Sequence, residues 1–138
     1  MTDLNFEDIV GRYFNLNLKK NNYRIYVEEA GQGTPLLCLH TAGSDGRQFR
    51  HILNDKRITN NYRVIVFDLP WHGKSNPPEG YELKDYKLTT NLYKEIIMSF
   101  CKQYRLIDPV IMGCSMGGRV VLHLALEHCE YFKAVIAL

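Results

Sequence analysis

Short, unbroken apolar runs recur along this chain, and they constrain its fold more than any other feature. Four such runs occupy residues 36–40 (LLCLH), 62–68 (YRVIVFD), 109–113 (PVIMG) and 132–138 (FKAVIAL). Runs of this length are typical of strands that are buried on both faces of a parallel sheet. Parallel strands need long crossover connections, which are usually helices. The runs therefore indicate a layered α/β fold.

Segments with helical periodicity separate these runs. Segment 47–54 (RQFRHILN) is short and amphipathic, and from Asp85 to Tyr104 apolar residues return at steps of three and four. Segment 118–128 (GRVVLHLALEH) is apolar on almost every side, which predicts a helix buried in the middle of a domain. Segments 41–46 and 69–82 are predicted loops, and the polar stretch 55–61 (DKRITNN) is assigned no helix or strand.

An antiparallel hairpin is predicted before the first apolar run. Residues 12–18 and 23–30 alternate with a period of two, and the polar residues KKNN lie between them at the bend. The order of elements predicts an α/β fold class, in which a mostly parallel sheet carries helices on both faces and begins with this hairpin. Residues 1–138 fit a single domain, with no internal repeat and no boundary.

A lone serine lies where the third apolar run meets the last predicted helix. Residues 113–118 read GCSMGG, so glycines flank Ser115 two positions to either side. This pattern between a buried strand and a helix is typical of a nucleophile elbow, a sharp turn that exposes the serine Oγ. Such a turn strains the serine backbone, and the chain can approach closely only where Gly113 and Gly117 lack side chains. The helix end offers free N–H groups to an oxyanion, among them that of Met116.

Composition and charge exclude several other classes. The formal net charge is +2 and no basic tract carries aromatics, so nucleic acid is not an expected partner. No apolar run approaches the ~18 residues that cross a bilayer, and the amino terminus lacks the basic region of a signal peptide. No GxGxxG, GxxxxGK[ST], CxxC or HExxH pattern is present, so no nucleotide, metal or other cofactor is predicted. The four cysteines lie in apolar segments, as expected of small buried residues in the reducing cytoplasm.

Three motifs follow one another in an order that is known from one family. They are LLCLHTAGS (36–44), VIVFDLPWHGKS (64–75) and GCSMGG (113–118). They resemble the oxyanion loop, the D-x-P-G-x-G-x-S segment and the nucleophile elbow of the α/β-hydrolase fold superfamily, in its esterase, lactonase and C–C hydrolase branch. The resemblance extends from about residue 36 to residue 120 and implies the same fold.

The resemblance implies a role for each matching residue. Ser115 is the nucleophile, and Met116 and Ala42 supply the two oxyanion N–H groups. Thr41 stands where the family has a glycine after His40, which leaves the loop backbone less free. A serine at the nucleophile position argues against haloalkane dehalogenases and epoxide hydrolases, which use aspartate there.

Each of the remaining candidates has a structural and a catalytic interpretation. His40 is expected to hold the oxyanion loop by a ring hydrogen bond rather than to act as a general base. Asp68 and His72 are expected to fix the loop after the fourth strand rather than to touch substrate. Trp71, in place of a family glycine, is expected to affect packing more than chemistry. Cys114 is expected to point into the core rather than to compete with the serine.

The catalytic base is missing from this sequence. A serine hydroxyl needs a base, and in this fold the order along the chain is Ser, then Asp or Glu, then His. After Ser115 the only histidines are His123 and His128, and the only acids are Glu127 and Glu130. His123 lies about two helical turns away, ~12 Å along the axis, too far for proton transfer. We therefore expect the histidine and its acid beyond residue 138, in a longer enzyme. The DNA sequence after codon 138 tests this expectation.

Two functions follow from these observations. The first is a cofactor-independent serine hydrolase whose small-molecule substrate is an ester, thioester, lactone or related carbonyl compound. The second is a non-catalytic fold that binds a small hydrophobic ligand, or that pairs the exposed strand at 132–138 with another chain. Labelling of Ser115 by a fluorophosphonate probe distinguishes the two.

Overall fold

The computed structural model describes residues 4–138, which form one six-stranded sheet with flanking helices. The strands are β1 (Val10–Leu18), β2 (Asn21–Ala30), β3 (Thr34–Leu39), β4 (Tyr62–Phe67), β5 (Val110–Gly113) and β6 (Ala134–Ala137). The α-helices are α1 (Arg50–Leu53), α2 (Lys56–Thr59), α3 (Thr90–Gln103) and α4 (Met116–Glu127), and short 3-10 turns occupy Gly46–Phe49, Tyr81–Leu83 and Cys129–Tyr131. None of the helices in this part of the chain is long and apolar enough to span a membrane.

The sheet has the strand order β1-β2-β4-β3-β5-β6. β1 and β2 form an antiparallel hairpin, β2 also pairs antiparallel with β4, and the remaining pairs are parallel. Leu39 at the end of β3 pairs with Gly113 at the end of β5, so the loops that follow these strands leave the sheet side by side. The predicted fold class, a mostly parallel sheet with an amino-terminal hairpin, is confirmed.

Apolar clusters cover both faces of the sheet. α3 and α4 pack on one face, over Leu37, Ile65 and Ile111. The turn Gly46–Phe49 and α1 pack on the other face, over Cys38 and Val66. Successive side chains of a strand point to opposite faces, so a strand covered on both faces must be apolar at every position. This explains the unbroken apolar runs of β3, β4 and β5, and helices on both faces are confirmed.

The start of α3 differs from the prediction. The helix begins at Thr90 rather than at Asp85. Thr89 is its N-cap, since the Thr89 Oγ1 accepts a hydrogen bond from the Leu92 N–H at 3.1 Å. A hydroxyl that satisfies a free N–H of the first turn fixes the point at which a helix starts.

The segments before β4 also differ from the prediction. Residues 47–54 form the end of a 3-10 turn followed by the short α1, not one continuous helix. Residues 55–61, for which the sequence predicts no helix or strand, contain α2. Asp55 caps α2 by accepting the Arg57 N–H at 2.9 Å, and this polar start masks the helical turn in the sequence.

The hairpin bend is tighter than the prediction. Only Lys19 and Lys20 form the turn, and Asn21 already pairs with Leu18. Lys19 has a left-handed φ of 56°, which allows two antiparallel strands to be joined by two residues. The predicted bend at KKNN is therefore two residues too long.

α4 is buried on one side only, which corrects the prediction of a helix surrounded by the core. It packs against β5, β6 and α3 through Val121 and Leu124. On its other side Leu122 and Leu126 are 55% and 84% exposed, since no element within residues 4–138 covers them. β6 likewise lies at an edge of the sheet and is largely exposed, although its apolar sequence predicts a buried strand.

The four cysteines divide between the core and the surface. Cys38 and Cys101 are buried, and burial raises the pKa of each thiol to about 12. Cys114 is half-buried. Cys129 is exposed, contrary to the expectation for all four, because it lies in a surface turn after α4.

Candidate active site

Ser115 lies at a sharp turn between β5 and α4. Its backbone has a φ of 53° and a ψ of −107°, and side-chain-bearing residues rarely adopt such a left-handed φ. Strain of this kind costs about 1–3 kcal/mol and is typical of functional sites. Ser115 is exposed, and its hydroxyl makes no capping bond to α4 although the residue occupies the N-cap position. The hydroxyl is therefore available to a ligand.

Close backbone approach requires the two glycines that flank the serine. A Cβ atom on Gly117 would lie 2.6 Å from the carbonyl oxygen of Leu39. A Cβ atom on Gly113 would collide with the carbonyl group of Gly117. Both collisions are with backbone, so no side-chain rotation relieves them. The strand can turn this sharply into the helix only because both positions lack a side chain.

Backbone hydrogen bonds hold the turn between its neighbours in the sheet. The Cys114 N–H donates to the Leu39 carbonyl at 3.1 Å, and the Ser115 N–H donates to the Leu138 carbonyl at 2.8 Å. The Arg119 N–H donates to the Ser115 carbonyl at 2.8 Å. These bonds fix the direction in which the Ser115 side chain projects.

The backbone N–H groups of Met116 and Ala42, which follow the carboxyl ends of β5 and β3, have no acceptor within residues 4–138. Met116 is the first residue of α4, where a helix leaves its N–H groups unsatisfied. Ala42 lies exposed in the turn after β3, the strand that pairs with β5. The helix end also carries a partial positive charge. An anion beside these two strand ends could therefore accept hydrogen bonds from both N–H groups.

His40 is fully buried and joins the loops that follow β3 and β4. Its Nε2 accepts the Leu69 N–H at 3.2 Å, which assigns the ring proton to Nδ1, and Nδ1 donates to the Thr41 carbonyl at 2.8 Å. Burial lowers the pKa of His40, although the hydrogen bond to Thr41 acts in the opposite direction. A neutral ring with both nitrogens engaged has no free nitrogen to take a proton from Ser115.

Thr41 is also held through its N–H, which donates to Gln48 Oε1 at 2.9 Å. Gln48 lies in the turn Gly46–Phe49, which Asp45 caps by accepting the Arg47 N–H at 3.0 Å. The side-chain hydrogen bond from Arg47 lowers the pKa of Asp45 to about 2. No sequence motif predicts the role of Gln48, because its partner is a backbone N–H, which almost every residue type has. Asp45 before the turn was a detectable N-cap signal.

Asp68 connects the same loops at a second point. Its carboxylate is buried and accepts the Gly46 N–H and the Lys74 N–H, each at 2.7 Å. The Ser75 hydroxyl donates to the Asp68 carbonyl and accepts the Tyr26 N–H at 2.9 Å. Every one of these contacts is with a neighbouring loop or strand.

Trp71 and His72 belong to the loop after β4. The ring of His72 lies 5.0 Å from that of His40, centroid to centroid. Trp71 has a left-handed φ of 70°, at the position where the related motif has glycine. Trp71 is 47% exposed, and its ring packs on Tyr81 and Tyr86, with centroid distances of 5.0 and 5.9 Å. This packing accommodates a bulky residue in place of glycine.

No histidine or carboxylate within residues 4–138 hydrogen-bonds to Ser115. His123 lies on α4, and His128 follows its end. Glu127 pairs instead with Lys94 at 2.6 Å. Over the same residues, no three His, Cys, Asp or Glu side chains come together to hold a metal ion.

Residues 34–138 match the family model of the alpha/beta hydrolase fold. The chain belongs to this family. The family predicted from the three motifs is thereby confirmed.

Two curated relatives of this α/β hydrolase are named enzymes or enzyme subunits. It is 33% identical over 95 residues to the magnesium-chelatase 30 kDa subunit of Rhodobacter capsulatus, a match that covers 69% of this chain and 31% of that protein. It is 26% identical over 112 residues to the pimeloyl-[acyl-carrier protein] methyl ester esterase of Vibrio vulnificus, a match that covers 81% of this chain and 39% of that protein. The α/β hydrolase thus spans well under half the length of these relatives.

A solved structure shows the same fold. The crystal structure of an epoxide hydrolase from Vigna radiata matches this α/β hydrolase with a TM-score of 0.78 at 22% sequence identity. The match covers 94% of this chain and 39% of that one. The likeness extends through nearly all of the present chain and concerns the fold alone.

Proposed function

We propose that this α/β hydrolase is a serine hydrolase that acts on an ester, thioester, lactone or related carbonyl compound through an acyl-enzyme on Ser115. The observation that carries the proposal is the exposed hydroxyl of Ser115 in a strained turn at the amino end of α4. Glycine would adopt this conformation at lower cost, and the hydroxyl caps nothing. The cost is explained if the hydroxyl performs chemistry. One matched relative is named a methyl ester esterase, which favours ester substrates.

The first step is attack by the Ser115 Oγ on the carbonyl carbon of the substrate. A histidine takes the hydroxyl proton as the new O–C bond forms, since an unassisted serine is a weak nucleophile. The N–H groups of Met116 and Ala42 bind the oxyanion, and each such donor contributes roughly 10²–10³-fold in rate in other hydrolases. The C–O or C–S bond then breaks, and the leaving alcohol or thiol receives the proton from the histidine.

The second step releases the acid. Water attacks the acyl-enzyme while the same histidine takes a proton from it. The second tetrahedral species collapses, Ser115 leaves, and its Oγ regains the proton from the histidine. The two steps consume one water and need no oxidant or cofactor.

We place the histidine and its carboxylate partner outside residues 1–138. Both nitrogens of His40 are engaged by backbone groups, and His123 lies ~12 Å along α4 from the serine. The chain spans 31% and 39% of the two curated relatives, so most of each relative has no counterpart in it. In this proposal His40, Thr41, Asp68 and His72 hold the loops in place and do not touch substrate.

The test compares Ser115→Ala with Ser99→Ala in the protein encoded by the complete reading frame. Hydrolysis is measured on a panel of chromogenic esters, thioesters and lactones. We expect S115A to lower kcat by about 10⁴-fold or more, because loss of a serine nucleophile disables the whole catalytic unit. Ser99 lies on α3, outside the three motifs, and S99A should retain wild-type activity. Hydrolysis that survives in S115A would contradict the proposal.

A further inference from the structure

The direction of the Ala42 N–H depends on the peptide bond that joins Thr41 to Ala42. No cis peptide occurs in residues 4–138, and in a trans peptide the C=O and N–H groups point in opposite directions. The Thr41 carbonyl faces inward, toward Nδ1 of the buried His40 ring at 2.8 Å. The Ala42 N–H must therefore point away from that ring.

The peptide bond before Thr41 is fixed as well. Its N–H donates to the side-chain amide of Gln48 at 2.9 Å. Thr41 is thus held on both sides, through its carbonyl by His40 and through its N–H by Gln48. With both flanking peptide planes fixed, φ and ψ of Thr41 are fixed, and the orientation of the Ala42 N–H follows from them. A single contact would leave the peptide free to rotate about one bond.

Gln48 can act in this way because the turn that carries it is rigid. The Asp45 carboxylate caps this turn and forms a bidentate ion pair with Arg47. The Gly46 N–H donates to the buried Asp68 carboxylate at 2.7 Å, and Phe49 packs in the core. The Gln48 side chain is exposed, but its backbone is anchored on both sides.

We propose that Gln48 is a positioning residue for the oxyanion hole: its side-chain amide holds the Thr41 N–H and thereby aims the Ala42 N–H at the substrate oxygen. This inference rests on the proposed function of Ser115. Gln48 itself does not touch substrate. The hydrogen bond that its side-chain amide accepts from Thr41 supplies part of the order of this loop.

The test uses Gln48→Met, which keeps the length of the side chain but removes the acceptor, and Gln48→Glu, which keeps an acceptor oxygen. Gln32→Met is the matched control, since Gln32 is an exposed glutamine in the turn before β3. In the protein from the complete reading frame, we expect Q48M to lower kcat about 10-fold at nearly unchanged KM, a fraction of the effect of a full oxyanion donor. Q48E should be several-fold faster than Q48M, and Q32M should match the wild type.

Fluorophosphonate titration of the active sites separates positioning from a general loss of folded protein. A purely structural role for Gln48 would reduce the number of titratable sites and the melting temperature, but kcat per titrated site would stay at the wild-type value. That result, or a Q48E as slow as Q48M, overturns the inference. Ser115-dependent hydrolysis unaffected by Q48M overturns the Gln48 role alone, whereas a wild type without Ser115-dependent hydrolysis overturns the proposed function and this role with it.

Discussion

Ser115 has a backbone conformation that costs free energy, and the surrounding turn holds it in that conformation. Its φ of 53° is enforced by hydrogen bonds from Cys114 to Leu39 and from Ser115 to Leu138. Strained residues persist only where the surrounding structure determines their conformation. At the scale of the single residue, stability and the proposed function therefore oppose each other at Ser115.

This opposition predicts the effect of replacing the serine by two residues that both lack the hydroxyl. We expect Ser115→Gly to be more stable than Ser115→Ala by about 1 kcal/mol, since relief of roughly 1–3 kcal/mol of strain exceeds the 0.5–1 kcal/mol that the greater freedom of unfolded glycine costs. Urea unfolding of the two variants measures the difference in free energy. An S115G variant no more stable than S115A would show that the turn is not strained.

The buried His40 ring predicts a dependence of stability on pH. Burial holds its folded pKa below the ordinary value of 6.5, so between these two values the unfolded chain binds more protons than the folded one. The free energy of unfolding should therefore fall as the pH drops through about 6.5 toward the folded pKa, by at most about 1.4 kcal/mol per pH unit.

His40→Asn and His51→Asn provide the matched pair for this measurement, because His51 is exposed on α1. The free energy of unfolding is measured in urea between pH 7.5 and pH 5.5. We expect H40N to lose much of the slope and H51N to keep it. An unchanged slope in H40N would show that His40 is not held neutral by the fold.

At the scale of elements, the turn depends on how closely α4 approaches β3. In an unhindered helix, replacement of glycine by alanine stabilises by up to about 1 kcal/mol. At Gly117 the added Cβ would lie 2.6 Å from the Leu39 carbonyl oxygen, so the sign should reverse. We expect Gly117→Ala to destabilise by about 2 kcal/mol or more.

The control for this prediction is Arg119→Ala, at an exposed position on the same helix. A surface substitution of this kind should change the free energy of unfolding by no more than about 0.5 kcal/mol. Urea unfolding of both variants decides the matter. A G117A variant as stable as the wild type would mean that the helix can move away from β3 without cost.

The existence of the elements could be predicted from the sequence, whereas several boundaries and faces could not. The apolar runs predict β3, β4 and β5 because both faces of each are covered. The start of α3 is set by one hydrogen bond of Thr89, which competes with helical periodicity from Asp85 onward. The burial of α4 depends on which elements pack on it, and the apolar pattern alone does not contain that information.

The candidate site could likewise be predicted only in part. Ser115 and its glycines follow from a local pattern, since the requirement for close backbone approach is local. The contact of Gln48 with Thr41 and that of Asp68 with Gly46 depend on how separate loops fold together. Residue types and spacing do not encode such contacts.

At the scale of the whole molecule, the candidate site lies at the carboxyl ends of the parallel strands β3, β4 and β5. Parallel strands bring the ends of distant segments together, which is why three motifs far apart in sequence meet in space. His40 and Asp68 then tie the loops of β3 and β4 to each other. In the proposed mechanism the base comes from outside residues 1–138, so these residues alone should react with a fluorophosphonate only slowly.

The most direct test of the account is to locate the covalent adduct that a fluorophosphonate leaves on the protein from the complete reading frame. Trypsin cleaves after Arg105 and Arg119, which releases residues 106–119 with both Cys114 and Ser115. Tandem mass spectrometry of this peptide should show one phosphonyl group on the Ser115 Oγ, with loss of fluoride, and the S115A peptide should be unmodified. A protein that stays unmodified, or that carries the adduct on Cys114 or elsewhere, would contradict the assignment of Ser115 as the nucleophile.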